Sequence, residues 1–104
     1  QHFLKDDEVC EKIANAIHAD WLPWIKEEHI PEVIQTGCFT HATILRLLEV
    51  DDTEGPTYAI QYFAESKGLY NNYIETHAPI MRQKSFSKWG DQFIAFRSVM
   101  QVVN

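Results

Sequence analysis

Residues 8–16 read EVCEKIANA, and two periodicities compete in them. Val9, Ile13 and Ile17 recur at helical spacing, whereas Val9, Glu11 and Ile13 alternate as one face of a strand would. Local pattern leaves the choice open. A weak internal repeat arbitrates: EEHIPEV at 27–33 and ETHAPIM at 75–81 each close a helical stretch with His-x-Pro. Each half then reads helix, His-x-Pro, turn, long strand. If the halves are copies of one βαβ unit, the first also needs a strand ahead of its helix, which predicts a strand over residues 9–14.

Outward from this point the chain is easier to read. Residues 38–50 (CFTHATILRLLEV) and Thr57–Ala64 (TYAIQYFA) are rich in β-branched and aromatic residues and flank the turn cluster DDTEGP, which predicts a β-hairpin. FIAFRSVMQVV at 93–103, opened by Gly90-Asp91, predicts a further strand. Two helical stretches lie between. Residues 18–28 put Trp21, Leu22, Ile25 and His29 on one stripe, and residues 66–89 put Tyr70, Ile74, His77 and Met81 on another, with Ser66 as N-cap. Pro31 and Pro79 interrupt them after Ile30 and Ala78, Pro31 opening a short helix that Gly37 ends. Pro23 implies that the first helix starts late or kinks. The order β-α-β-β-α-β predicts an α+β, ferredoxin-like fold: a four-stranded antiparallel sheet with two helices on one face.

The last strand is apolar on both parities. Phe93, Ala95, Val99 and Val103 alternate with Ile94, Phe96, Met100 and Val102, and Tyr58, Ile60 and Tyr62 oppose Ala59 and Phe63. Two helices cover one face only, so the economical cover for the other is a second copy, a homodimer through the sheet face away from the helices. A length of 104 residues makes residues 1–104 a single domain. The net charge of −6 without a basic cluster argues against nucleic acid and anionic membranes as partners. No apolar run approaches the ~20 residues that span a bilayer, and Cys10 and Cys38 read as reduced thiols, so the cytoplasm is the expected location. The chain begins with Gln, so a short N-terminal piece is expected to be missing.

At EEHIPEV, TGCF, TYAIQYFAES, HAP and FIAFRSVMQVV the chain resembles a family of short bacterial proteins, a domain of unknown function within the dimeric α/β-barrel superfamily. The resemblance spans roughly residues 17–103. It implies the ferredoxin-like fold and a dimer whose two sheets close into one barrel, and it supplies no reaction. Better-known members of the superfamily include cofactor-free quinol-type monooxygenases, haem-degrading monooxygenases, muconolactone-isomerase-like enzymes and stress-responsive barrels. One departure stands out: QHFLKDDEVCEKIA is polar where such proteins open on an apolar strand.

Several side chains could carry chemistry. His29 and His77, each beside a proline at a helix end, could act as general bases or simply cap helix carbonyls. Arg46 and Arg97 sit among apolar strand neighbours; each would pair with a carboxylate such as Glu49 or Glu65, or recognise a carbonyl or anionic group of a ligand. Gln61 and Gln101 could complete a polar spot with Arg97. Trp21, Tyr62 and Tyr73, with Gln61 and Arg46, are candidate ligand-binding residues, although the aromatic set also suits a plain core. HxxxH, HExxH and Cys-x-x-Cys are absent, so no metal or other cofactor is expected.

Two functions follow as expectations. One is a homodimeric barrel that binds a small apolar or aromatic molecule or serves a structural role. The alternative is a cofactor-free monooxygenase or isomerase, with His29 or His77 as base and Arg97 polarising a carbonyl. The enzyme reading requires a cavity between sheet and helices that both a histidine and an arginine reach.

Overall fold

The computed structural model describes residues 5–101, and their side chains from 8 to 99. The chain runs β1 (Lys5–Ile13), α1 (Asn15–Trp24), α2 (Ile30–Gln35), β2 (His41–Arg46), β3 (Thr57–Ala64), α3 (Lys67–Asn72), α4 (Ala78–Trp89) and β4 (Phe93–Gln101). Short π-helical segments, Ile25–His29 and Tyr73–His77, join α1 to α2 and α3 to α4. Each joined pair forms one interrupted helix, so the order is βαββαβ. The strands form one antiparallel sheet in the order β2-β3-β1-β4. This is the ferredoxin-like fold.

Residues 9–14 therefore begin in a strand, and a central one. β1 lies between β3 and β4, with Val9 opposite Ile60 and Arg97. Its polarity follows from parity. Val9, Glu11 and Ile13 face the helices, while Glu8, Cys10 and Lys12 face the other side of the sheet, where Glu8 accepts a hydrogen bond from Gln61 Nε2 at 3.2 Å. Beneath the helices Ile13, Trp21, Ile25, Ile60 and Val33 are fully buried. Each contributes roughly 1.5–3 kcal/mol by leaving water.

The two π segments are the structural form of the His-x-Pro repeat. In each, the amide after the histidine reaches back one residue further than in an α-helix: Ile30 N–H to the Ile25 carbonyl, and Ala78 N–H to the Tyr73 carbonyl. A proline one residue later would drive its ring into the carbonyl four residues back in a regular α-helix. Widening the turn by one residue moves that carbonyl aside, and the helix continues instead of breaking. His29 and His77 thus occupy equivalent positions in the two halves.

The wider turn also corrects the expected stripe of the second helix. The buried positions are Tyr70, Tyr73, Ala78, Met81 and Ser85. The inserted residue shifts the phase, so Ala78 takes the buried place that uninterrupted helical spacing assigns to His77. Ser66 does cap α3, its Oγ accepting from the Leu69 amide at 3.1 Å. Pro23 does not delay α1, which starts at Asn15 and carries Pro23 on its exposed side, just before the first π segment.

The strand expected over 38–50 is shorter. Cys38 and Phe39 are buried in the turn before β2, and the chain leaves the sheet after Arg46, with Glu49 at φ 59° and Leu48 78% exposed. The hairpin loop folds back over the β1–α1 junction instead. Ile13 N–H donates to the Pro56 carbonyl at 2.9 Å and Asn15 N–H to the Glu54 carbonyl at 3.0 Å, which satisfies an amide that the uncapped start of α1 leaves open. β4 is described to Gln101; Val102 and Val103 lie outside the described residues.

The face away from the helices carries Ile94 at 67% exposure, Phe96 at 63% and Leu45 at 44%, with Phe63 stacked on His41 beside them. Glu8, Lys12, Gln61 and Ser98 share it. It is an apolar surface with a polar admixture rather than a uniformly greasy one.

Candidate functional site

A cavity of about 170 Å³ lies between the sheet and the helices. Val9 and Glu11 of β1, Tyr62 of β3 and Phe93, Ala95 and Arg97 of β4 supply its sheet wall. His29 and Tyr73 from the two π segments, with Ala78, Met81, Arg82 and Ser85 of α4, supply the helical wall. The cavity exists where the two widened turns hold their side chains over the centre of the sheet.

Three of its residues are ionisable groups in unusual surroundings. Glu11 is only 6% exposed, and among the described residues its carboxyl has no hydrogen bond or salt bridge. Burial pushes its pKa up to about 7, opposed by the positive charge of Arg97. Arg97 stands one step diagonally from it, since Glu11 pairs with Ala95 and Arg97 with Val9. Its guanidinium lies 5.6 Å from the centroid of the Tyr73 ring.

His29 faces them from the helical layer. Burial holds its imidazole down to a pKa of about 4; nearby Glu32 favours the charged form and Lys84 opposes it, those two forming an ion pair with each other. The ring stacks on Trp24 at 4.8 Å, and Trp24 meets Trp89 edge-on at 5.6 Å, which fixes its orientation. Nδ1 is buried without a hydrogen-bond partner among the described residues. At neutral pH this imidazole is uncharged.

The residues singled out from sequence divide accordingly. His29, Arg97, Tyr62 and Tyr73 come together in the cavity. His77 lies outside its lining, its ring 6.2 Å from that of Tyr73. Trp21 is fully buried core, packed on Tyr58 at 5.2 Å. Arg46 is not mid-strand: it ends β2, is exposed, and pairs with Asp52 at 3.4 Å rather than with Glu49 or Glu65. Gln61 sits on the opposite face of the sheet from Arg97, so the two form no common polar spot; the Gln101 side chain lies outside the described residues. Glu11 was missed. Its signal was the alternation Val9, Glu11, Ile13, which places a carboxylate on the buried parity of a strand.

Among the described residues no group of three His, Cys, Asp or Glu side chains is placed to hold a metal ion, and no helix is long and apolar enough to cross a membrane. Cys10 and Cys38 are free thiols. Cys10 lies on the open face, whereas Cys38 is buried, its sulfur accepting from Asn72 Nδ2 at 3.5 Å.

Solved structures share this fold over nearly the whole chain. A dimeric ferredoxin-like protein from an uncultured marine organism superposes with a TM-score of 0.65 at 11% identity, covering 100% of this chain and 98% of that one. An EthD-like protein from Ralstonia eutropha gives 0.68 at 12% identity, covering 100% and 95%. A monooxygenase of Streptomyces coelicolor in complex with nanaomycin D gives 0.59 at 12% identity, covering 99% and 89%. Identities this low establish the ferredoxin-like class and no more. The particular family is shown by sequence: the chain belongs to the domain of unknown function DUF4286, whose profile matches residues 8–103. No curated protein matches it.

Proposed function

We propose that this protein is a cytoplasmic homodimeric binding protein, each copy holding a small, largely apolar single-ring molecule between its sheet and its helices. The cavity carries the reading. About 170 Å³ compares with the ~150 Å³ that accommodates one benzene ring in an engineered protein core, and falls short of the ~300 Å³ at which larger ligand pockets begin. Aromatic and aliphatic side chains form the larger part of the wall, and Glu11, His29, Arg82, Ser85 and Arg97 set polar groups among them that could orient a guest. The open sheet face, with Ile94, Phe96 and Leu45 exposed, suits a second copy, and a structural neighbour is described as dimeric. The test is titration with benzene and toluene while following backbone amide shifts. Saturable shifts at Val9, Glu11 and Ala95 support the reading; shifts confined to the open sheet face, or none, reject it.

One observation favours a second reading, the cofactor-free monooxygenase or isomerase. A histidine and an arginine, His29 and Arg97, both reach the cavity. With a carboxyl at about 7 and an imidazole at about 4, Glu11 is the better-matched base near neutral pH, and His29 serves as a neutral hydrogen-bonding partner. Oxygen uptake with hydroquinone, abolished in Glu11→Gln, would establish it; no turnover by the wild-type protein would leave the binding function alone.

A further inference from the structure

The binding reading leaves the guest's polar chemistry open, and Glu11 narrows it. Glu11 is buried on the central strand, lines the cavity, and makes no side-chain hydrogen bond or salt bridge among the described residues, Arg97 acting on it through charge alone. A carboxyl that opens only to a cavity takes its hydrogen bonds from what fills that cavity. The groups around it are engaged, uncharged or at the margin. Tyr58, directly opposite on β3, is held by its hydroxyl against His18 Nε2 at 2.7 Å. Arg97 on β4 is engaged with Tyr73. Tyr62 on β3 also makes a further interaction, His29 faces the space as a neutral ring, and Arg82 of α4 lies exposed at the margin.

Net charge favours no guest. Glu11 and Arg97 stand side by side, so an anionic ring gains from the guanidinium what it loses to the carboxylate, and a cationic one the reverse. A neutral molecule with a hydrogen to donate meets neither loss. We infer that the ligand is a neutral, hydroxyl-bearing single-ring compound whose O–H donates to the Glu11 carboxylate. This rests on the single-ring reading above and adds the recognition chemistry. Because the acceptor is the ionised form, affinity rises as pH passes upward through the Glu11 titration near 7.

Phenol, benzene and benzoate are the probes, titrated calorimetrically into the full chain at pH 5.5, 7 and 8.5, where phenol stays neutral because its pKa is ~10. Phenol is expected to bind about tenfold tighter than benzene at pH 8.5, the margin of a charge-assisted hydrogen bond over apolar contact alone. Its affinity should fall several-fold at pH 5.5, with benzene unchanged. Glu11→Gln should bring phenol close to benzene and flatten its pH profile. Benzene binding with no preference for phenol overturns this inference and leaves the cavity reading standing. Tighter binding of benzoate on acidification also overturns it, making Glu11 a proton donor to anions. If none of the three binds, both readings fall. The wild-type pH series decides the matter even if Glu11→Gln fails to fold.

Discussion

Glu11 and Arg97 stand on adjacent strands, one diagonal step apart on the same face of the sheet, and the cavity opens over both. The guanidinium favours the ionised carboxyl, yet burial outweighs it and the proton is held to about pH 7. A polar pair of this kind sits where the core would otherwise close between Val9, Phe93 and Ala95.

The first prediction concerns pH and stability. Glu11 has its folded pKa raised from 4.5 to about 7. Between those values the folded state keeps a proton that the unfolded chain has lost, so stability falls as pH rises through the window. His29 is lowered from 6.5 to about 4. There the unfolded chain binds the extra proton, and stability rises with pH. Each effect reaches about 3 kcal/mol. They oppose one another between about 4.5 and 6.5, so the wild-type contribution of this pair is nearly flat. Urea unfolding of Glu11→Gln should show stability rising with pH across that range, and His29→Gln should show it falling; parallel slopes in the two variants would refute the assignment.

Gly55 is predicted to be irreplaceable. It sits at φ +149°, and a Cβ there would lie 1.6 Å from the Ile13 carbonyl oxygen, in the bonded contact between the hairpin loop and the end of β1. Gly55→Ala should cost more than ~4 kcal/mol or prevent folding altogether. A thermal midpoint within a few degrees of wild type would show that the loop does not hold this junction.

On the open face, Phe96→Glu should weaken self-association at least about tenfold by setting a charge amid the apolar surface. Sedimentation velocity at micromolar concentration distinguishes the outcomes. A wild-type protein that sediments as one copy would reject the dimer.

Ser66→Ala removes the side-chain acceptor for the Leu69 amide. The expected loss is about 1 kcal/mol in chemical denaturation, without change in ligand affinity. No loss would mean that water replaces the hydroxyl at this helix end.

Much of this arrangement was legible from residue order because the two halves repeat. His29-Ile30-Pro31 and His77-Ala78-Pro79 located equivalent joints, and the strand ahead of the second helix argued for β1 against its own polar composition. That polarity became intelligible only with the sheet in view, where Glu8 and Lys12 face away from the helices and Glu11 faces the cavity. Arg97 could be singled out because a charge in mid-strand requires a partner. Arg46 has the same apolar neighbours in sequence but ends its strand in solvent, and composition does not mark where a strand stops. The displacement of His77 was hidden for a related reason: helical spacing assumes 3.6 residues per turn, and the widened turn before Ala78 departs from it.

The widened turn between α3 and α4 also lets the chain carry one residue more than a regular helix would place there. Excising one residue from Tyr73–His77 would wind that stretch into ordinary helix and bring the spacings of Tyr70, Tyr73, Ala78, Met81 and Ser85 to three, four, three and four, so all five would keep one face. The penalty would fall on Pro79, whose ring would meet the carbonyl four residues before it. The extra residue thus acts as slack for the proline, leaving the roof above Glu11 in register.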